Sequence, residues 1–204
     1  MSQRMSQYTI PYVTTTTPRG ERTVDLYSRL LEDRIIYLGT EIDDGVANAL
    51  IAQLLHLESD NPDLPISLYL NSPGGSITAM LAVYDAMQFV AAPVETTCVG
   101  QAAWTAAVLL AGGEPGRRMI LPHGRVVLHQ PAAQGRGTIP DLILEAEEIA
   151  RVRTVLEQIL GEHTGRLPEQ VRADTDRDLV LTADAACDYG VVDHVLEPRR
   201  LRTS

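Results

Sequence analysis

Cysteine is scarce in this chain of 204 residues: only Cys98 and Cys187 occur, with no Cys-x-x-Cys pair and no Cys/His cluster. That argues against a disulfide framework or structural zinc and fits a reducing compartment. Cys98 lies in a run of strand formers, where a thiol serves as a small core group rather than a nucleophile. Aromatic residues are few, at 4%, and there is one tryptophan, Trp104. Long apolar runs are also missing; the longest, Ala102 to Ala111, is far too short to span a bilayer. Met1 to Thr17 holds neither an apolar core nor a cleavage-like site, so no secretory signal is visible and a cytoplasmic location is expected. Positive charge is short: the net charge is −10 and the sequence pI about 4.9, which disfavours nonspecific nucleic-acid binding.

What is there suffices for one domain with a sizeable core, 45% of residues being hydrophobic. Residues 1–23 are polar and read as a flexible segment around the apolar patch Ile10-Pro11-Tyr12-Val13, ahead of a domain over residues 24–204. Asp25 to Glu32 predicts a short helix and Arg34 to Leu38 a buried strand. Asp43-Asp44 caps a helix with Val46, Ala47, Leu50, Ile51, Leu54 and Leu55 on one face. Ile66 to Leu70 is a strand. Asn71-Ser72-Pro73-Gly74-Gly75 follows as a turn whose paired glycines permit positive φ and close backbone approach. A helix from Ser76 to Phe89 and a strand from Val94 to Val99 continue the alternation, which predicts an α/β fold with parallel strands and right-handed crossovers. Arg117 to Leu121 and Arg125 to Leu128 add short strands, and Ala132 to Gly137 reads as a loose connection. A long helix from Thr138 to His163 carries the stripe Leu142, Ile149, Val152, Leu156 and Ile159, of the kind usually buried against another subunit. Short helices from Pro168 to Ala173 and Thr182 to Tyr189, then a strand from Val191 to Val195, close the fold.

The chain is organised around the turn between Val94–Val99 and the apolar run Ala102 to Ala111. At such strand-to-helix turns a serine hydrolase presents its nucleophile, and backbone N–H groups at the helix start hold the developing oxyanion. Trp104 occupies that place. The motifs Gly100-Gln101-Ala102-Ala103, Gly116-Arg117-Arg118-x-x-Leu121-Pro122 and Leu128-His129-Gln130-Pro131 resemble the ClpP family, the proteolytic subunits of Clp proteases. Asn71 to Gly75 upstream and Asp174 to Asp178 downstream resemble it in the same order, so the likeness runs from about Ile10 to Leu196.

The resemblance implies a ClpP/crotonase-like spiral of ββα units with a projecting handle at about 130–163, and an axial loop in residues 1–23. It implies His129 as general base, Asp178 as the carboxylate orienting it, and the Gly75 and Thr105 N–H groups as the oxyanion hole. Leu55, Tyr69 and Phe89 resemble the pocket where loops of an AAA+ unfoldase dock, and Asp176 and Arg177 the ion-pairing residues between rings. It further implies two stacked heptameric rings, a tetradecamer, with no metal or cofactor in this subunit, since ATP is used by the unfoldase.

The departure is Trp104, where the family has serine. Indole has no nucleophilic oxygen and its N–H only donates, so His129 has nothing to activate. Removing a triad serine lowers turnover on the order of 10⁶-fold. The expectation is a catalytically inactive structural and regulatory ring subunit, alone or beside an active paralogue. Three alternatives stay open. Thr105, or Ser72, could serve as nucleophile, although Thr105 sits one residue along and is stiffened by β-branching. The serine could have been changed to tryptophan in the laboratory, although Thr105, Ala106 and Ala107 also depart from the family and favour natural drift. A crotonase-type acyl-CoA enzyme shares the spiral fold, and the full set of motifs argues against it.

Overall fold

The computed structural model describes residues 9–17, 20–130 and 138–197. Two strands, β1 (Tyr12–Thr17) and β2 (Gly20–Asp25), pair antiparallel from Tyr12↔Asp25 to Thr17↔Gly20. Composition alone reads this stretch as a tail, but its threonines are β-branched and alternate across a pleat. Thr14 and Thr23 share a hydroxyl–hydroxyl bond of 2.9 Å across the pair. The N-terminal segment is thus a hairpin where it is described; residues 1–8, 18 and 19 lie outside the described residues, as does the Ala132–Gly137 connection.

Asp25 caps α1 (Leu26–Glu32) by accepting from the Ser28 N–H. The main sheet has seven strands. Its path runs β3 (Ile35–Leu38), β4 (Ile66–Ser72), β5 (Val94–Ala103), β6 (Arg118–Ile120), β9 (His194–Val195), all parallel neighbours. Parallel neighbours need crossovers, which α2 (Asp44–Asp60), α3 (Ile77–Phe89) and α4 (Thr105–Ala111) supply. Asp43 and Ser76 cap α2 and α3 with side-chain oxygens.

β5 changes partner along its length. Thr96 to Cys98 pair with β6, and Gln101 to Ala103 pair with β7 (Arg125–Leu128), which in turn pairs antiparallel with β8 (Leu179–Thr182). The strand therefore outruns the Val94–Val99 read from sequence, because the second partner is 20-odd residues away along the chain and invisible to local pattern. β8 escapes sequence reading for the same reason. Every residue of α4 is buried, as befits a short helix apolar on all sides. α5 (Ile139–Thr164) is 26 residues, about 39 Å long, and only its C-terminal half packs on the body through Val152, Leu156 and Leu160. α6 (Pro168–Asp174) and α7 (Ala183–Tyr189) complete the chain. No helix among the described residues is long and apolar enough to cross a membrane.

Candidate functional site

Trp104 sits at the junction of β5 and α4 with φ 48° and ψ −107°, one of two non-glycine residues with positive φ among those described. Such a backbone costs on the order of 1–3 kcal/mol and persists only where its surroundings enforce it. They do: the Trp104 N–H donates to the Val127 carbonyl at 2.7 Å, and the Trp104 carbonyl accepts from Ala107 and Val108. On the other flank, Asn71 braces the turn. Its Oδ1 accepts from the Gln101 N–H at 3.2 Å, and any Cβ on Gly100 would overlap the Asn71 side chain. Sequence reading took Asn71 only as part of a turn; an amide beside a strand-breaking glycine was the available signal.

Gly74 and Gly75, with φ 95° and 154°, bring the β4–α3 turn against this junction. A Cβ on Gly74 would lie 3.5 Å from the Thr105 nitrogen and 3.1 Å from its hydroxyl, so the two backbones meet here. Ile42 donates to the Gly74 carbonyl and accepts from Ser76, which aims the Gly75 N–H the other way. Among the described residues neither the Gly75 nor the Thr105 N–H makes a hydrogen bond. Two free donors at adjoining turns can hold a carbonyl oxygen bearing negative charge. Gly75→Ala is expected to unfold this corner, since its Cβ would overlap the Ile42 backbone; a large drop in melting temperature checks it.

His129 follows β7, half-buried, and its ring stacks on the indole of Trp104 with centroids 4.9 Å apart and planes 27° apart. Its Nδ1 lies 2.8 Å from the Gln130 carbonyl. A carbonyl only accepts, so Nδ1 carries the proton and Nε2 offers a lone pair. Asp178 is exposed and shares no hydrogen bond with His129. The structure thus joins Trp104, His129, Gly75 and Thr105 in one place; it also brings the backbone of Asp178 there, since Leu128 pairs with Leu179 across β7 and β8, but the exposed Asp178 carboxylate makes no hydrogen bond to the imidazole. The indole closes the space behind His129: the cavity between Trp104, Leu128, His129, Leu156, Leu160 and Val171 measures about 20 Å³, room for roughly one water. Among the described residues the Trp104 Nε1 and the Thr105 hydroxyl are buried without a hydrogen-bond partner, and Thr105 has 0% exposure. Cys98 is fully buried, and burial pushes its thiol above the ordinary value, so it is no thiolate.

Behind the site lies a charge network that sequence reading missed, although the Arg153–Glu157 spacing of four on a helix was a signal. Glu157 of α5 is 5% exposed in its side chain and is gripped by Arg172 at 2.6 Å and Arg153 at 2.7 Å. Arg153 also donates to Gln130 at 2.8 Å, and Gln130 bonds the Thr175 and Asp176 carbonyls. The segment carrying His129 is thereby tied to α5 and α6.

Of the remaining candidates, Tyr69 lines a cavity of about 530 Å³ with Thr97, Val99, Leu121, Pro122 and Leu196. Leu55 and Phe89 do not line it and are exposed on α2 and α3. Asp176 and Arg177 lie 4.0 Å apart on the surface, with side chains 65% and 96% exposed.

A strained strand-to-helix turn, a histidine stacked beside it and two unpaired backbone donors at adjoining turns are thus gathered at one edge of an α/β sheet. Residues 18–199 match the profile of the Clp protease family, and the chain belongs to that family. It is 65% identical over 96% of its length to the whole of an ATP-dependent Clp protease proteolytic subunit 1 from Nocardia farcinica. It is 60% identical to a subunit 2 from Streptomyces avermitilis, over 96% of this chain and 98% of that one. A subunit 4 from Rhodococcus jostii is likewise 60% identical, over 93% of this chain and 97% of that one. Relatives thus bear the numbers 1, 2 and 4.

Proposed function

We propose that this Clp protease subunit is catalytically inactive and serves as a structural and regulatory member of a ring assembly shared with an active relative. The observation that carries the reading is the Trp104 indole stacked on His129 at the turn where a nucleophile would stand. The imidazole lone pair has no hydroxyl to deprotonate, and the ring fills space that a substrate side chain would need. Thr105 is no substitute: its hydroxyl is buried and makes no hydrogen bond to His129. The features that the resemblance links to assembly support this: the long α5, the surface pair Asp176–Arg177, and the Tyr69 cavity and the exposed Leu55 and Phe89, read as an unfoldase docking surface. The assembly is two stacked heptameric rings in the cytoplasm; the subunit itself holds no cofactor, and ATP is spent by the AAA+ partner.

The test is a fluorophosphonate probe and a fluorogenic peptide offered to the purified chain. Absence of labelling and of hydrolysis is expected, with labelling restored by Trp104→Ser. Labelling of the starting chain, mapped to any hydroxyl, would overturn the reading.

A further inference from the structure

The register of β4 on β5 breaks beside the candidate site. Leu70 pairs with Cys98, but the next pairing is Ser72 with Ala102, so β5 bulges between them. Across the same stretch β5 leaves β6, last paired at Cys98↔Ile120, and joins β7 at Gln101↔Arg125. Two side chains pin the bulge. Asn71 Oδ1 accepts from the Gln101 N–H at 3.2 Å, standing where a strand carbonyl would, and Arg125 donates to Gln101 Oε1 at 3.0 Å. A Cβ on Gly100 would lie 2.5 Å from the same Asn71 oxygen, so the contact leaves room only for glycine.

What the bulge separates matters for chemistry. The two unpaired donors belong to different strands: Gly75 follows β4 and Thr105 follows β5. On the β4 side, Ser72 accepts from the Gly74 N–H at 3.1 Å, and Ile42 holds Gly74 and Ser76. On the β5 side, Trp104 is tied to Val127 of β7. Each turn is thus fixed to its own neighbours. With the Ser72↔Ala102 pairing, the Asn71–Gln101 bond ties the chain just before one turn to the chain just before the other. Donors that share one oxygen must hold their spacing, and a displacement of roughly 1 Å can cost on the order of 10²-fold in rate.

We propose that Asn71 is a positioning residue: through Gln101 it sets the spacing of the Gly75 and Thr105 N–H groups, without itself touching reacting atoms. The kinetic arm of its test rests on the inactivity proposed above, because it uses the Trp104→Ser chain; the exchange arm does not. In the Trp104→Ser chain, adding Asn71→Ala is expected to lower kcat for a fluorogenic peptide about tenfold to 10²-fold at unchanged KM, as misplaced transition-state donors would. Asn71→Asp keeps an acceptor oxygen in the same place and is expected to restore the rate. Gly100→Ala should reproduce the loss with Asn71 intact, since its methyl displaces the carboxamide. In the chain that keeps Trp104, amide hydrogen exchange over residues 99–105 is expected to rise with Asn71→Ala and to return to its starting level with Asn71→Asp. Exchange or kcat unmoved by Asn71→Ala, or a change that Asn71→Asp does not restore, overturns the proposal. A Trp104→Ser chain with no activity counts instead against the function proposed above, and exchange then decides whether Asn71 sets the turn.

Discussion

Trp104→Ser is expected to raise hydrolysis of a short peptide on the order of 10²-fold over the starting chain, far below the ~10⁶ that a complete triad supplies. The shortfall comes from Asp178. Loss of the orienting carboxylate alone costs about 3 × 10⁴ in the same kind of enzyme, and here Asp178 shares no bond with His129. What remains is useful: the Gln130 carbonyl holds the proton on Nδ1, leaving Nε2 as the base, and the Gly75 and Thr105 N–H groups are free. The substitution also empties the indole's place, at a stability cost below the ~3–5 kcal/mol of a fully buried tryptophan, since Trp104 is half-buried. A gain near 10⁶ would mean that Asp178 reaches His129 in solution. No gain would mean that the turn no longer works as an oxyanion site.

The second large effect belongs to Glu157. Replacing both Arg153 and Arg172 by alanine leaves its carboxylate buried without a partner, and a loss of about 3–5 kcal/mol at neutral pH is expected. Glu157→Gln is expected to cost less, about 1–2 kcal/mol, because both arginines are partly exposed and can turn to water. The pH dependence separates the cases. In the native chain burial works against ionisation, but the hydrogen bonds from Arg172 and Arg153, with their charges, prevail and hold the Glu157 carboxyl below its ordinary value. Its contribution is therefore full above the unfolded carboxyl pKa of about 4.3 and is lost as pH falls through the lower folded value. With both arginines gone only burial remains, the folded pKa moves above the unfolded one, and the contribution is present at low pH and lost as pH rises. Urea midpoints across pH 3 to 7 (about that range) should reverse their slope; parallel profiles would remove Glu157 from this role.

The alternating order of strands and helices was legible because each element from β3 to β5 carries its own period and cap, as Asp43 and Ser76 illustrate. Trp104 was legible as an oddity because flanking motifs fix its place. Less legible was whatever depends on distant pairing. β8 joins β7 across more than fifty residues, the Asn71 brace spans 30, and the Glu157 network draws on α5, α6 and the segment after β7. The position of Asp178 relative to His129 is of the same kind. No local pattern records how the chain from α6 to β8 comes back to the site.

The stack of Trp104 on His129 has one more consequence. Trp104 is the sole indole in the chain, and among the described residues the ring stacked on it is the imidazole of His129. Excited beyond the absorption of its seven tyrosines, the protein therefore emits from a single address, in contact with one imidazole. A ligand that parts the two rings, or a substitution of His129, reports itself optically at that address, with no dye attached.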